Sequence, residues 1–307
     1  MHRKSRLISI LLVLIMLLGS TTFSSFAASN PSIKVSTYQD NAQAKEVLRL
    51  INKERTKRGL KKLKLDKQLT KSAVTRAAEI SIYIPATSPH KRPNGKLAKN
   101  INKRIIYECC AEGDSSPSSV VKGWMSSPPH RKGILLKNAK TVGIGCVTTD
   151  GVDTFWTLEF SNTKLKSKLT SSKKVHSNIK VTTLSKYLKK SYFSLRTASS
   201  VANYEEADEE DPEIIIGNSI KFYPYYSCDW NYQMCSRLAV SDFTWSSSNT
   251  SVASVDSKGA VTAKGKGNVK ITATMKRSPG FKITQWITVI DQNEYDEYDK
   301  EYDDFWN

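Results

Sequence analysis

Residues 243–274 read FTWSSSNTSVASVDSKGAVTAKGKGNVKITAT, and the spacing of apolar residues in this stretch decides the local fold. Behind Trp245 and a polar turn, Val252, Ala253 and Val255 alternate with polar residues at about the strand period of two. Lys258-Gly259 turns the chain back into Val261 and Ala263, and Gly265 and Gly267 punctuate a second turn into Val269, Ile271 and Ala273. Three short strands separated by turn signals predict part of a β-sandwich.

Moving outward from this stretch, the charge changes sign. Residues 28–196 hold 34 Lys and Arg against 11 Asp and Glu, whereas residues 197–307 hold 10 against 18. The first half therefore carries a net +23 and the second −8, which suits two domains of ordinary size. Between them, residues 163–190 are rich in Lys, Ser and Thr, and Glu205–Glu213 packs seven carboxylates into nine residues. Like charges in a block repel and stay solvated, so residues 163–210 read as a linker and residues 211–291 as the β-rich domain. Residues 292–307 alternate Asp and Glu with Tyr before a final Phe-Trp pair and read as a disordered acidic tail. Solvation explains both acidic runs better than calcium capture does.

At the N-terminus, Arg3, Lys4 and Arg6 precede an apolar run from Leu7 to Leu18, followed by Ser25-Phe26-Ala27. This is the pattern of an export signal over residues 1–27, cleaved after Ala27, and predicts a secreted or cell-surface protein. The run is shorter than the roughly 20 residues a membrane span requires, and no second such run follows, so no transmembrane segment is expected in the mature chain.

The basic half, residues 40–162, has helical periodicity first and strand periodicity later. Ala44, Val47, Leu48, Ile51 and Arg55 share one helical face that stops at Gly59. Asp66 caps a second helix carrying Leu69, Ala73, Ala77 and Ile80, and Ser116-Pro117 opens a third with Val120, Val121 and Trp124 inward. Residues 142–148 and 154–160 are β-branched and aromatic runs joined through Asp150-Gly151, a hairpin signal. Helices followed by paired strands predict an α+β layered domain. Its polar residues of interest lie in turns: His90 in SPHKRPNG, Glu108 in YECCAEG, and His130 in SPPHRKGIL.

These strings carry two resemblances. VLRLINKERTKRGL, LTKSAVTRAAEI, HKRPNG, ECCAEG, VVKGWMSSPPHRKGIL, VGIGC and FWTLEF follow one another in the order typical of the bacterial CAP superfamily, the cysteine-rich secretory, antigen-5 and pathogenesis-related proteins. Residues 243–274 resemble the bacterial group 2 immunoglobulin-like domain. The resemblances imply an α-β-α sandwich with a central cleft over residues 40–162, then an all-β immunoglobulin-like sandwich over residues 211–291.

The CAP cleft commonly gathers two histidines and two acids, which in some members bind a divalent metal. Carried over, this implies His90, His130 and Glu108 as ligands of a metal such as zinc, with Glu79, or Glu159 where the family usually has Gln, as the second acid. The competing reading is that both histidines hydrogen-bond loop backbone and Glu108 ties down a turn. Two departures bear on the geometry: Cys109 replaces the family's Asn, and Pro129 replaces the Gly before His130.

Five cysteines in an exported chain suggest disulfides and one spare thiol. Cys228 and Cys235 would close a local loop, and Cys146 is a partner for Cys109 or Cys110. Zinc held by adjacent Cys109-Cys110 lacks the C-x-x-C spacing.

Two function classes follow. One is a non-catalytic binder of a ligand or surface, its basic half drawn to an anionic envelope polymer, lipid headgroup or glycan. Nucleic acid is disfavoured, because the basic residues are not interleaved with stacking aromatics. The other is a metal-dependent or serine hydrolase acting on peptide or wall material, with Ser88, Ser126 or Ser127 beside the histidines. It lacks a G-x-S-x-G elbow.

Overall fold

The computed structural model describes residues 31–82, 90–113, 116–149, 153–198, 211–227, 235–278 and 280–296. The expected export signal, Ser88, the Asp150-Gly151 turn, Cys228, most of the acidic block and residues 297–307 lie outside the described residues. Among the described residues, no helix is long and apolar enough to cross a membrane.

Strand β1 (Ser32–Asp40) ends on Asp40, whose carboxylate accepts from the Ala42 and Gln43 N–H groups and caps helix α1 (Asn41–Thr56). Ala44, Val47 and Ile51 are buried as their spacing requires. Arg55 shares that face, its charge spread over the Lys61, Ile134 and Leu136 carbonyls at 2.6–3.0 Å. Gly59 ends the turn at φ +68°, which a side chain would resist. After β2 (Lys64–Leu65), Asp66 caps α2 (Lys67–Ile80) in the same way. Strand β3 (Tyr107–Glu112), helices α3 (Pro117–Ser126) and α4 (Pro128–Ile134), and strands β4 (Thr141–Thr148) and β5 (Thr154–Ser161) complete the order.

The sheet runs β3-β5-β4-β1, with β2 added in parallel to β4. Period-two alternation sorts its faces. Val142, Ile144, Cys146, Trp156, Leu158 and Phe160 join a buried cluster that also holds Val47, Ile51, Val120, Trp124 and Ile134 from α1, α3 and α4. The opposite face of β4 presents Gly143 and Gly145 to α2. A Cβ on Gly143 would lie 2.2 Å from the Leu69 carbonyl carbon, and one on Gly145 2.6 Å from the Ala73 oxygen. Helix α2 therefore rests directly on the strand backbone, with helices on both faces of the sheet.

The expected linker is a correction. Residues 174–182 form β6 (Lys174–Thr182), paired with β1 along its whole length from Ser32↔Thr182 to Asp40↔Lys174, so the sheet extends past β1 to an edge strand. Lysines suit such an edge because they discourage further pairing; inward-facing Val181 is fully buried.

Strand β7 (Phe193–Arg196) then joins β10 (Tyr223–Ser227) and β11 (Cys235–Arg237) in a three-stranded sheet. Beyond it, β12 (Phe243–Ser247), β15 (Gly267–Met275), β16 (Lys282–Ile290) and β8 (Glu213–Ile215) form one sheet, and β13 (Ala253–Val255), β14 (Ala260–Ala263) and β9 (Ser219–Lys221) another. Strands β13, β14 and β15 are the three read from residues 243–274. Their Val261, Val269, Ile271 and Ala273 share one buried cluster with Ile33, Val35 and Val181 of the first sheet. Four contacts reinforce the seam: Leu238 bridges to Val35, Ala239 N–H donates to the Lys34 carbonyl (2.8 Å), Ser236 Oγ donates to the Ser81 carbonyl (2.6 Å), and Lys34 pairs with Asp242. In the expected tail, Glu294 pairs with Lys266 at 2.9 Å.

The disulfide expected from Cys146 is also corrected: Cys109, Cys110 and Cys146 are free thiols. Strand β5 lies between β4 and β3, with Trp156 opposite both Cys146 and Ala111. Two strand spacings come to about 9.6 Å, beyond the roughly 7 Å that a disulfide spans.

Gly143→Ala should force α2 off the sheet. Urea denaturation should show a loss of about 1–3 kcal/mol or more, and an unchanged midpoint would refute the close approach.

Candidate functional site

Helix α2 carries Ser72, Arg76 and Glu79 at i, i+4 and i+7, one stripe on the face that meets the sheet. All three are buried, Arg76 and Glu79 completely. They face two acids on neighbouring strands, Glu108 of β3 directly opposite Glu159 of β5.

Each acid has its own partners. Ser72 Oγ donates to Glu159 Oε2 at 2.6 Å. Burial pushes Glu159 well above the usual carboxylate range, with the Glu108 charge adding to the effect, which favours its protonated form. Glu79 is held at both oxygens by Arg92, with Nη2 2.6 Å from Oε1 and Nε 3.1 Å from Oε2, and lies 3.5 Å from Arg76. Burial still raises its pKa against the pull of both guanidinium groups.

The Glu79–Arg92 pair sets the position of the histidine loop. Residues 90–98 fold back on themselves through the Lys91↔Leu97 bridge, the Arg92 N–H to Lys96 carbonyl bond (2.8 Å) and the Ala98 N–H to His90 carbonyl bond (3.3 Å). Arg92 ties this loop to α2 from one side, and Arg76 Nη2 donates to the Lys91 carbonyl (3.3 Å) from the other. His90 is thereby placed with Nδ1 2.9 Å from Glu108 Oε1. The same carboxylate lies 3.3 Å from Cys110 Sγ and 3.3 Å from Arg76 Nε. A carboxylate only accepts, so Nδ1 of His90 carries the proton and Nε2 keeps a lone pair for a ligand.

His130 reaches the site from helix α4. Pro128 and Pro129 fill its first turn, where a missing N–H costs nothing; Pro129 therefore starts a helix and does not displace a loop. Tyr107 Oη donates to the Pro129 carbonyl (2.8 Å), and Gly133 packs on the Tyr107 ring and Cys109 Sγ. Burial lowers the His130 pKa, and repulsion from His90 in its protonated form lowers it further, so the two imidazoles stand within electrostatic reach. The His130 ring makes no hydrogen bond to Glu108 among the described residues. His90 and Glu108 line a cavity of about 330 Å³ whose wall includes Leu97, Ile105, Ile106 and Tyr107.

The structure thus brings His90, Glu108, Glu79 and Glu159 into one network and sets His130 beside it. Arg76, Arg92 and Ser72 complete that network without having been singled out in the sequence. For Ser72 and Arg76 the signal was present in LTKSAVTRAAEI: with Glu79 they are polar residues at i, i+4 and i+7 on a helix whose other buried positions are mostly apolar.

Ligand-type atoms of His90, Glu108 and Cys110 lie within 4.8 Å of one another, yet they suit a divalent cation poorly. Burial holds the Cys110 thiol protonated, and the permanent charge of Arg76 adjoins the shared carboxylate. Glu79 and Glu159 are committed to Arg92 and Ser72.

Residues 48–160 match the cysteine-rich secretory protein (CAP) family, and residues 235–285 match the bacterial Ig-like domain, group 2. The chain carries a CAP domain followed by a bacterial immunoglobulin-like domain. An uncharacterized Bacillus subtilis protein, YkwD, is 36% identical over 124 residues, covering 39% of this chain and 47% of its own length. The chain thus spans about half the length of that curated relative. Among solved structures, an extracellular SCP-domain protein of Bacillus anthracis is 22% identical over 40% of this chain and 41% of its own, with a TM-score of 0.35. An outer surface protein of Borrelia burgdorferi is 23% identical over 38% and 90%, with a TM-score of 0.32.

Within the CAP domain, Arg92→Met should strand Glu79 in the interior and cost about 3–5 kcal/mol at pH 7 by urea denaturation. The deficit should shrink as pH falls and Glu79 takes up a proton; a loss that ignores pH would contradict the clamp. His130, lowered in the folded state, contributes stability above about pH 6.5 that is lost as pH falls through its folded pKa. His130→Gln should flatten that part of the stability profile.

Proposed function

We propose that this chain is exported and acts outside the cell by binding, without catalysis, a ligand that enters the CAP-domain cavity lined by His90, with His130 nearby. The N-terminal run of Arg3 to Ala27 and the match to a secretory family support the location. One observation carries the non-catalytic reading: Ser72, Ser126, Cys109 and Cys110 are already occupied or inert. Ser72 Oγ donates to Glu159, and Ser126 Oγ donates to the Gly123 carbonyl (2.7 Å). Burial raises the thiols of Cys109 and Cys110, which keeps them protonated. Among the described residues, no hydroxyl hydrogen-bonds to either His90 or His130, as an activated serine would.

The cavity offers a ligand Nε2 of His90 as an acceptor and an apolar wall at Leu97 and Ile106, both well exposed. A divalent cation such as zinc, where bound, would be held by the outward nitrogens of His90 and His130, with Glu108 behind His90 raising its basicity. The excess of positive charge in residues 28–196 suits anionic polymers of the envelope as the surroundings of this domain.

Labelling tests the central point. The native protein should not react with a fluorophosphonate or, before unfolding, with iodoacetamide, and should release no product from casein or purified cell wall. Stoichiometric labelling abolished by His130→Ala would establish the hydrolase instead. In a zinc titration His130→Ala should weaken binding at least tenfold, whereas Cys110→Ser should leave it unchanged.

A further inference from the structure

A second concave surface lies on α1. Lys45, Arg49 and Lys53 stand at i, i+4 and i+8, one above another about 6 Å apart along the helix. With Lys62, from the loop after the helix, they line a groove of about 420 Å³.

The groove is built on fixed parts. Asn52 is buried beneath it and clamps the loop at both polar ends: its Nδ2 donates to the Leu63 carbonyl (3.0 Å) and its Oδ1 accepts from the Leu63 N–H (2.7 Å). Arg55 Nε holds the Lys61 carbonyl at 2.9 Å. The backbone carrying Lys62 is therefore pinned against the helix, so the spacing of cations across the groove is set before any partner arrives.

The charges differ in their engagement. Arg49 pairs with exposed Glu46 (2.6 Å), an ion pair open to competition in water. Lys45 Nζ reaches Ser172 Oγ (2.8 Å) and the Thr170 carbonyl, neither of which neutralises it. Glu54, the other acid on the helix, is taken by Lys57 and Arg58 (3.3 and 2.7 Å). Lys53 and Lys62 are exposed and make no ion pair among the described residues. A helix that stacks like charges at i, i+4 and i+8 leaves a line of positive charge about 12 Å long in which Arg49 alone has an acidic partner, the exposed Glu46.

We propose that this groove binds a linear chain of phosphate groups, as in a phosphodiester or polyphosphate polymer. A single small anion could engage only one or two of these cations, whereas a chain meets all four in succession. A planar membrane is disfavoured, because the lining is concave. The inference rests on the reading of the CAP domain as a binder at the envelope, but uses a surface separate from the His90 cavity.

The test uses the mature chain and fluorescent inorganic polyphosphate at low salt. Wild type should bind it, and orthophosphate at the same total phosphate should compete at least 100-fold less well. Affinity should fall with rising salt. Lys53→Glu/Lys62→Glu should weaken binding at least tenfold, whereas Lys180→Glu/Lys190→Glu, which changes net charge equally outside the groove, should weaken it less than threefold. Unaltered thermal melting would show that both variants fold. Equal losses in the two variants, or no binding by wild type, would overturn the groove while leaving the zinc titration at His90 and His130 untouched. Capture by phosphatidylglycerol vesicles that ignores Lys53→Glu/Lys62→Glu, combined with no polyphosphate binding, would overturn it in favour of a membrane.

Discussion

The contact between α2 and the backbone of β4 governs the rest of the CAP domain. Only glycine at 143 and 145 lets the helix come this close, and that closeness buries the polar stripe of Ser72, Arg76 and Glu79 in an otherwise apolar interface. A buried carboxylate must be paired or take up a proton. Glu79 recruits Arg92, Arg76 recruits Glu108, and Glu159, bonded to Ser72, is shifted toward its protonated form. Each choice fixes a neighbour: Arg92 fixes the 90–98 loop, and Glu108 fixes the ring of His90. The site is thus a consequence of helix packing carried outward through three successive side-chain contacts.

This arrangement is consistent with the proposed binding role, because most groups of the cluster are engaged with one another. Glu79 and Glu108 pair with Arg92 and Arg76, Ser72 faces Glu159, and the Cys109 and Cys110 thiols face the His130 carbonyl and the Glu108 carboxylate. What remains available is one lone pair on His90, a largely neutral His130 and an apolar wall. Binding energy there comes from shape and a few directed hydrogen bonds, the usual constitution of a small-ligand site.

The sequence revealed much of this because the informative residues recur at fixed short spacings. His90, Glu108 and His130 were legible in their strings, and the strands of residues 243–274 were legible from alternation alone. Partner choice was not. That Glu79 would be consumed by Arg92 depends on a loop folding back across the helix, and no spacing encodes that contact. The strand at 174–182 was hidden by its lysines, which are as natural on a sheet edge as in a linker. The expected bond from Cys146 failed because strand order, which separates β4 from β3 by one strand, cannot be read from cysteine spacing. The shared core that joins β1 and β6 to the immunoglobulin-like strands was likewise invisible, since β1 lies about 200 residues before those strands.

Histidine ¹⁵N NMR measures the orientation of His90 directly. At about pH 8.5, above the ordinary imidazole range, His90 should be held as the tautomer with the proton on Nδ1, and Glu108→Ala should return it to the mixture seen for an unrestrained imidazole. A wild-type His90 carrying its proton on Nε2, unaffected by Glu108→Ala, would contradict the idea that a buried carboxylate presents this histidine to a ligand.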